Sequence, residues 1–189
     1  MKKIAMILLA LFCAIGCCNA QHDHTKGMMG VGIRGGLSTR IFDHWWGYNI
    51  GMFYHYYTGP KLGVVAELDR EKMLFMHSDF KNSILIGVGG EYAVWKPTQW
   101  MMMELSLMGN VGYDVWDCTV MDWREEHLVF GANGGFALEF YPWHFLSFML
   151  KGRQFALFGR GDSYAKPDIS LGVKFNWKNR NSFKGEKGK

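Results

Sequence analysis

The amino-acid sequence predicts an all-β fold, an eight-stranded antiparallel up-and-down transmembrane β-barrel. Three observations predict it: long segments that alternate apolar and polar residues, connections that alternate between short and longer, and a secretory signal before them. The alternation is clearest over 100–114, where one phase is uncharged and the other holds every charge. A period of two indicates a strand with two different faces. The 15 residues of this segment fit a tilted strand that crosses a membrane and extends beyond it.

Residues 1–20 form a predicted signal peptide. Two lysines precede an apolar stretch over 4–15, and small residues at 18 and 20 mark a cleavage site. The apolar stretch is too short to be a membrane-spanning helix. Residues 14–17 also fit a loose lipobox, so a lipidated Cys17 is an alternative N-terminus. Cys118 is the one cysteine that follows this region, which predicts a barrel without an internal disulfide.

Eight segments with strand character follow and make up the predicted barrel, residues 21–177. Their approximate ranges are 28–39, 47–58, 61–73, 82–95, 100–114, 127–141, 144–158 and 167–177. Tight turns with Pro or Gly join strands two and three, four and five, and six and seven. The other connections are longer, at 40–46, 74–81, 115–126 and 159–166. This alternation is typical of outer-membrane barrels, so we expect an outer-membrane protein with both termini in the periplasm.

The apolar phase of these strands faces outward in this prediction. In strands four, six and eight it contains no charge, as contact with lipid requires, because Lys or Arg at the bilayer midplane costs about 2–4 kcal/mol. Outer-membrane lipid is therefore an expected partner. The alternative is a soluble barrel of the lipocalin type, which is apolar inside and polar outside.

The opposite phase collects charges and predicts a polar lumen. Eight strands enclose an interior that side chains just fill, and unpaired charges there would be expensive, so the charges should pair with one another. Asn110 and Asn133 share this phase. The predicted structural ion-pair network comprises Arg34, Glu67, Glu91, Glu104, Glu139, Lys151, Arg153 and Lys174. A narrow conducting pathway along the same charges is the alternative.

The short turn after strand six predicts a register for part of this network. Counting from it places Glu139 opposite Phe145 or Ser147, within diagonal reach of a long basic side chain on strand seven. The predicted result is a ring of alternating sign that blocks the lumen. Its members are Glu104, Glu139, Lys151, Arg153 and Lys174.

Aromatic residues gather near the expected strand ends, as in the girdles of membrane barrels. A carbohydrate-binding surface is the alternative. The residues are Trp45, Trp46, Tyr48, Tyr54, Tyr56, Tyr57, Trp95, Trp100, Tyr141 and Trp143.

The charge distribution gives no sign of a nucleic-acid surface. The chain has a net charge of +4, which falls to about +2 without the two signal lysines. The basic C-terminal tail, 178–189, carries the excess, so no direct nucleic-acid partner is expected.

No cofactor, metal or catalytic site is predicted. The motif at 22–24, His-Asp-His, has metal-ligand residue types but no third ligand. His127, His144 and Ser163 are the nearest candidates for a Ser/His pair, yet no orienting acid is brought to them, so we expect a non-enzymatic protein. The glycine motifs at 30–32 and 87–90 lie inside strands and lack a following helix. A predicted solvated loop holds Asp114, Asp117, Cys118, Asp122, Glu125, Glu126 and His127.

The second half of the chain, about 91–177, resembles the TraO family of Bacteroides-type conjugative transposon proteins. The resemblance rests on short segments in order: Gly89-Gly90-Glu91-Tyr92, Met103-Glu104-Leu105-Ser106-Leu107, Gly134-Gly135-Phe136-Ala137-Leu138-Glu139, Phe148-Met149-Leu150-Lys151-Gly152-Arg153-Gln154 and Ile169-Ser170-Leu171-Gly172-Val173-Lys174-Phe175. The chain departs from that family by its tail beyond Trp177 and by lacking a cysteine near residue 22. The resemblance implies an outer-membrane component of a conjugative DNA-transfer apparatus, with other conjugation proteins as partners. The alternative is a stand-alone barrel acting as surface adhesin, ligand binder or narrow pore.

Overall fold

A computed structural model describes residues 26–40, 45–74, 80–98, 100–118, 123–159 and 162–178. The predicted signal peptide, the motif at 22–24 and most of the basic tail lie outside these residues. The eight strands are β1 (Met28–Arg40), β2 (Trp45–Tyr57), β3 (Leu62–Leu74), β4 (Phe80–Thr98), β5 (Met101–Cys118), β6 (Trp123–Trp143), β7 (Leu146–Gly159) and β8 (Asp162–Lys178). No helix in the described ranges is long and apolar enough to cross a membrane.

The strands form one closed barrel in which every neighbouring pair is antiparallel and β8 pairs with β1. The predicted eight-stranded up-and-down architecture is confirmed. The three tight turns lie at the end where Met28 pairs with Lys178, which we call the turn end. The strand ends at Arg40, Leu74, Cys118 and Gly159 lie at the opposite end, the loop end.

Several strands are longer than predicted, and they shorten the predicted loops. The largest difference concerns 115–126, which was expected to be a loop. Here β5 and β6 stay paired as far as Cys118 and Trp123, so most of this segment is a hairpin. At the connection between β7 and β8, β8 begins at Asp162, five residues before its predicted start. Alternation is weak in these polar segments, so it gave no strand signal there.

The register fixes the stagger of the barrel. A series of paired residues runs from Arg34 on β1 across each strand in turn. This series of pairs ends at Asp162 on β8. Since Asp168 pairs with Ser38, Asp162 falls level with position 44, ten residues beyond Arg34. An offset of this size in an eight-stranded barrel corresponds to strands tilted by roughly 40° from the axis.

The outer surface is an apolar belt. On β4 the exposed side chains run from Ile84 through Val88 to Val94, a span of about 11 residues, which matches the height of a bilayer core for a tilted strand. On β2 the exposed aromatic residues Trp46 and Tyr48 lie toward the loop end. The belt contacts lipid, and the lipocalin alternative is excluded because the charged side chains lie inside.

Two of the aromatic residues predicted for the girdles are not on the outer surface. Tyr57 and Tyr141 are each 1% exposed and point into the lumen. The alternation itself explains this, because Tyr57 shares the inward phase of Phe53 and His55, whereas Tyr54 and Tyr56 are on the exposed phase. The position of a residue in the alternation, and not its distance from a strand end, therefore decides whether its side chain faces lipid or the lumen.

Candidate functional site

The most specific structure in the molecule is the charged interior of the barrel. The structure places all eight of the predicted network residues in the lumen, each no more than 4% exposed. Within the described residues, the buried side chains include seven bases (Arg or Lys) and eight acids, together with His55. Most of them form three groups along the barrel axis, which we call the central cluster, the turn-end cluster and the loop-end cluster.

The central cluster consists of Arg34, Glu67, Asp69, Arg153 and Asp168. It forms because Glu67 and Asp69 are two residues apart on β3 and so point to the same face. Arg34 donates to Glu67 at 2.6 Å and to Asp69, across the lumen from β1. Arg153 donates from β7 to the same two carboxylates at 2.9 and 2.7 Å. Each carboxylate therefore lies between two guanidinium groups, an arrangement of strong charge-assisted hydrogen bonds.

Arg153 is held in place on several sides. Its Nε donates to Asp168 at 3.1 Å, and its guanidinium carbon lies 4.8 Å from the centre of the Phe155 ring. Opposite, Gly135 leaves room for it: a Cβ there would lie 3.0 Å from Cγ of Arg153 and 2.7 Å from a backbone oxygen. The small residue on β6 is therefore needed for the bulky ion pair.

Lys151 connects the central cluster to the next group. Its Nζ donates to Glu67 at 2.8 Å and to Glu91 at 2.7 Å. One ammonium group thus joins β7 to both β3 and β4, and its side chain is fully buried.

The turn-end cluster consists of His55, Glu91, Glu104, Glu139 and Lys174. Lys174 donates to Glu139 and, at 2.8 Å, to the hydroxyl oxygen of Tyr57. The hydroxyl of Tyr141 also donates to Glu139. Nδ1 of His55 lies 3.0 Å from Oε2 of Glu91. The two buried tyrosines, Tyr57 and Tyr141, therefore form hydrogen bonds with the charged groups of the lumen at this end.

The loop-end cluster consists of Glu71, Lys81, Asp114 and Lys166. Lys166 pairs with Glu71, and Lys81 pairs with Asp114. Ser38 donates a further hydrogen bond to Glu71. Asp114 was expected in a solvated loop, but it is 1% exposed and points inward, because β5 continues past it and stays paired with β4 and β6.

The predicted register for Glu139 is wrong. Its partner on β7 is Met149, four residues beyond Phe145. The turn lies at 144–145 rather than at 142–143, and an irregularity between Phe140 and Trp143 changes the register by one residue, so counting from Pro142 fails. Consequently Arg153 does not contact Glu139, and the predicted single ring is replaced by separate clusters. The link between Glu139 and Lys174 does form.

The sequence analysis missed seven charged lumen residues, although strand phase could have found several of them. Asp69 and Glu71 continue the inward phase of Glu67 on β3, and Lys166 and Asp168 continue that of Lys174 on β8. The predicted segments ended too early or followed only the apolar face. The missed residues are Arg40, Asp69, Glu71, Lys81, Asp114, Lys166 and Asp168.

The other candidate sites are dispersed. His127 lies at the loop end beside Glu125, with 2.8 Å between Nε2 and the carboxylate, whereas His144 lies in the turn between β6 and β7 at the opposite end. These two histidines cannot belong to one Ser/His site. The glycine motifs at 30–32 and 87–90 lie inside β1 and β4, as expected.

The loop-end rim is uneven. β6 pairs with β7 only from Val129 onward, yet β6 continues through 123–128 in pairing with β5. We call residues 113–118 and 123–128 the projecting hairpin. In the described part of the chain, no strand pairs with β6 over 123–128 on its β7 side, so among these residues that side of the hairpin is a sheet edge.

Comparison with known proteins supports the fold alone. No protein-family model matches the sequence, and no curated protein matches it either. Among solved structures, Ail, the attachment invasion locus protein of Yersinia pestis, superposes with a TM-score of 0.59 at 12% identity, over 81% of this chain and 100% of Ail. Ail in complex with the heparin analogue sucrose octasulfate gives 0.60 at 13% identity, over 81% and 100%.

Two further barrels are similar in structure. Neisserial surface protein A superposes with a TM-score of 0.60 at 12% identity, over 81% of this chain and 99% of that one. The outer membrane protein OprG from Pseudomonas aeruginosa gives 0.57 at 8% identity, over 83% and 99%. The fold is therefore that of a small outer-membrane barrel. The TraO resemblance receives no support from these comparisons.

Proposed function

We propose that this protein is a non-enzymatic barrel of the bacterial outer membrane that acts as a surface adhesin or ligand binder and does not conduct through its lumen. The projecting hairpin is the observation that carries the proposal. In this arrangement the termini face the periplasm, the loop end faces outward, and binding occurs at the outer rim.

The closed lumen supports the non-conducting part of this proposal. Arg34 and Arg153 reach across the interior to the same two carboxylates on β3, and their side chains are at most 1% exposed. Ions would have to break these contacts to pass. With the interior filled, the surfaces left for recognition are the two ends of the barrel.

The hairpin supports recognition at the loop end. Open N–H and C=O groups on a sheet edge are a template for an extended segment of another protein. Glu125 and Glu126 are the described acids near this edge, and Tyr113 donates a hydrogen bond to Glu126. These two carboxylates favour a partner segment with basic residues. It is unsuited to a polyanion such as the heparin analogue that Ail binds.

Single-channel recording tests the closed lumen. The purified protein in planar bilayers should show no steady open current, because the central cluster fills the pore. The double variant Arg34→Ala/Arg153→Ala, confirmed as folded by its heat-modifiable mobility, should show frequent openings. A large steady conductance of the unmodified protein would contradict a closed lumen.

Adhesion assays test the hairpin. Replacing residues 117–124 with Asn-Gly shortens the hairpin and leaves the lumen residues in place, so surface-exposed protein should lose adhesion to immobilised matrix proteins. Glu126→Lys should weaken binding of basic partners, whereas Lys61→Glu, a charge reversal of equal size and opposite sign at the turn end, should not. Unchanged adhesion after hairpin shortening, or equal adhesion by cells lacking the protein, would contradict the proposal.

A component of a conjugative transfer apparatus is the second candidate, and the TraO-like segments of the sequence favour it. Deletion of the gene followed by a mating assay separates the two. A large fall in transfer frequency, restored by the hairpin-shortened variant, would favour the conjugative role over adhesion. Unchanged transfer would exclude it.

A further inference from the structure

We infer that the turn-end cluster contains a buried binding site for a divalent transition-metal ion of the Zn²⁺ class, held by His55, Glu104 and Glu139. One potential ligand atom from each of these side chains lies within 4.8 Å of the other two. The three residues come from β2, β5 and β6 and are at most 1% exposed. Neither the proposed adhesive role nor the filled central lumen requires such a site.

The state of His55 is the second observation that points to a metal ion. Its Nδ1 lies 3.0 Å from Oε2 of Glu91 and 3.3 Å from the hydroxyl oxygen of Tyr57, so a proton on Nδ1 would face these oxygens. In that tautomer the other nitrogen, Nε2, carries the lone pair, and it is buried without a hydrogen-bond partner. Burying a polar atom in this way is costly. A carboxylate that orients the ligating histidine through its second nitrogen is the usual outer shell of protein zinc sites.

The charges of the cluster suit a cation. Three carboxylates meet here, from Glu91, Glu104 and Glu139. The two nearby ammonium groups are Lys174, on Glu139, and Lys151, which is shared with Glu67 of the central cluster. Converging carboxylates ionise more readily beside a positive charge. A bound divalent ion places positive charge where these carboxylates converge.

Lys174 is compatible with this assignment. Its ammonium group bonds to Glu139 and to the hydroxyl oxygen of Tyr57, and each carboxylate oxygen has two acceptor positions. The ion can therefore share Glu139 with Lys174. The donor set of one imidazole and two carboxylates favours Zn²⁺ or Co²⁺ over Ca²⁺, which takes six to eight oxygen ligands.

Cobalt substitution tests the site. The full mature chain, without an affinity tag, is refolded into detergent in the presence and absence of Co²⁺ and then freed of unbound metal. We expect one tightly held Co²⁺ per barrel, visible as d–d absorption and displaced by Zn²⁺. A rise in the heat-modification temperature with metal should accompany it.

Matched histidine variants identify the ligands. His55→Gln should lower Co²⁺ affinity at least tenfold, whereas His22→Ala/His24→Ala and His127→Ala should retain it. Glu104→Gln provides a second ligand variant if His55→Gln does not fold, as judged by heat-modifiable mobility. Absence of Co²⁺ from the folded wild type overturns the inference. So does binding that survives in His55→Gln and Glu104→Gln or disappears in His22→Ala/His24→Ala.

Discussion

The two faces of the barrel wall follow different rules, although they alternate residue by residue along the same strands. The outer face is chemically uniform: Ile33, Leu68 and Val88 are exposed and belong to one apolar belt. On the inner face, the residues beside them, such as Arg34 and Glu67, have named partners at defined distances. The comparison teaches that the outer face needs only apolar character, whereas the inner face needs specific side chains.

The largest expected effect tests the inner face. Arg153→Ala removes a guanidinium that contacts Glu67, Asp69 and Asp168 and leaves buried carboxylates short of positive charge. We expect a loss of about 3–5 kcal/mol in the free energy of unfolding, measured by urea titration in lipid vesicles and by a lower heat-modification temperature. The neighbouring variant Gln154→Ala, on the exposed face, should change little. Equal stability of the two variants would show that the central cluster does not stabilise the barrel.

The next effect tests how the cost of a charge on the outer face depends on its depth in the membrane. Val88→Lys places an ammonium in the middle of the belt and should cost about 2–4 kcal/mol. Ile84→Lys lies beside Arg70, which is already exposed near the loop end, so it should cost at most about 1 kcal/mol. The same vesicle titrations measure both. A similar cost for the two variants would contradict the position of the lipid belt.

A smaller effect compares added volume on the two faces of β1. A Cβ at Gly32 would lie 2.3 Å from the Phe53 ring in the lumen, so Gly32→Ala forces rearrangement and should cost about 1–3 kcal/mol. At Gly35, on the outer side, the nearest atom would be 3.8 Å away, so Gly35→Ala should be nearly neutral. Urea midpoints of the two variants provide the measurement, and a reversed order would refute the packing argument.

The smallest effect concerns an ion pair outside both the lumen and the belt. Glu125 and His127 lie 2.8 Å apart, but the Glu125 side chain is 45% exposed. Water already solvates such a pair, so Glu125→Gln should change stability by less than about 1 kcal/mol. Thermal denaturation of the two proteins at equal ionic strength checks this. A loss comparable to that of Arg153→Ala would mean that desolvation does not control these energies.

Sequence alternation predicted the wall well because each strand carries its own phase. It located all eight strands and the inward side of the network residues, such as Glu91 and Lys151. The alternation could not predict the pairings inside the lumen, because these depend on the stagger between strands and on irregular hairpins. Glu139 shows both causes: a one-residue irregularity changes the register beside it, so that its neighbour is Met149, and its cation comes from β8. The histidine and two glutamates of the inferred metal site span residues 55–139, and no spacing rule connects them.

The acidic and basic residues of the lumen are distributed unequally along the chain. Among the described residues, the buried lumen charges of β1–β6 comprise seven acids and three bases. β7 and β8 contribute four bases, including Lys151 and Arg153, and one acid, Asp168. Without the last two strands, the inner face of β1–β6 carries an excess of acids that repel one another. Because β7 and β8 neutralise that face, we expect closure of the barrel and pairing of its interior to occur as one cooperative step.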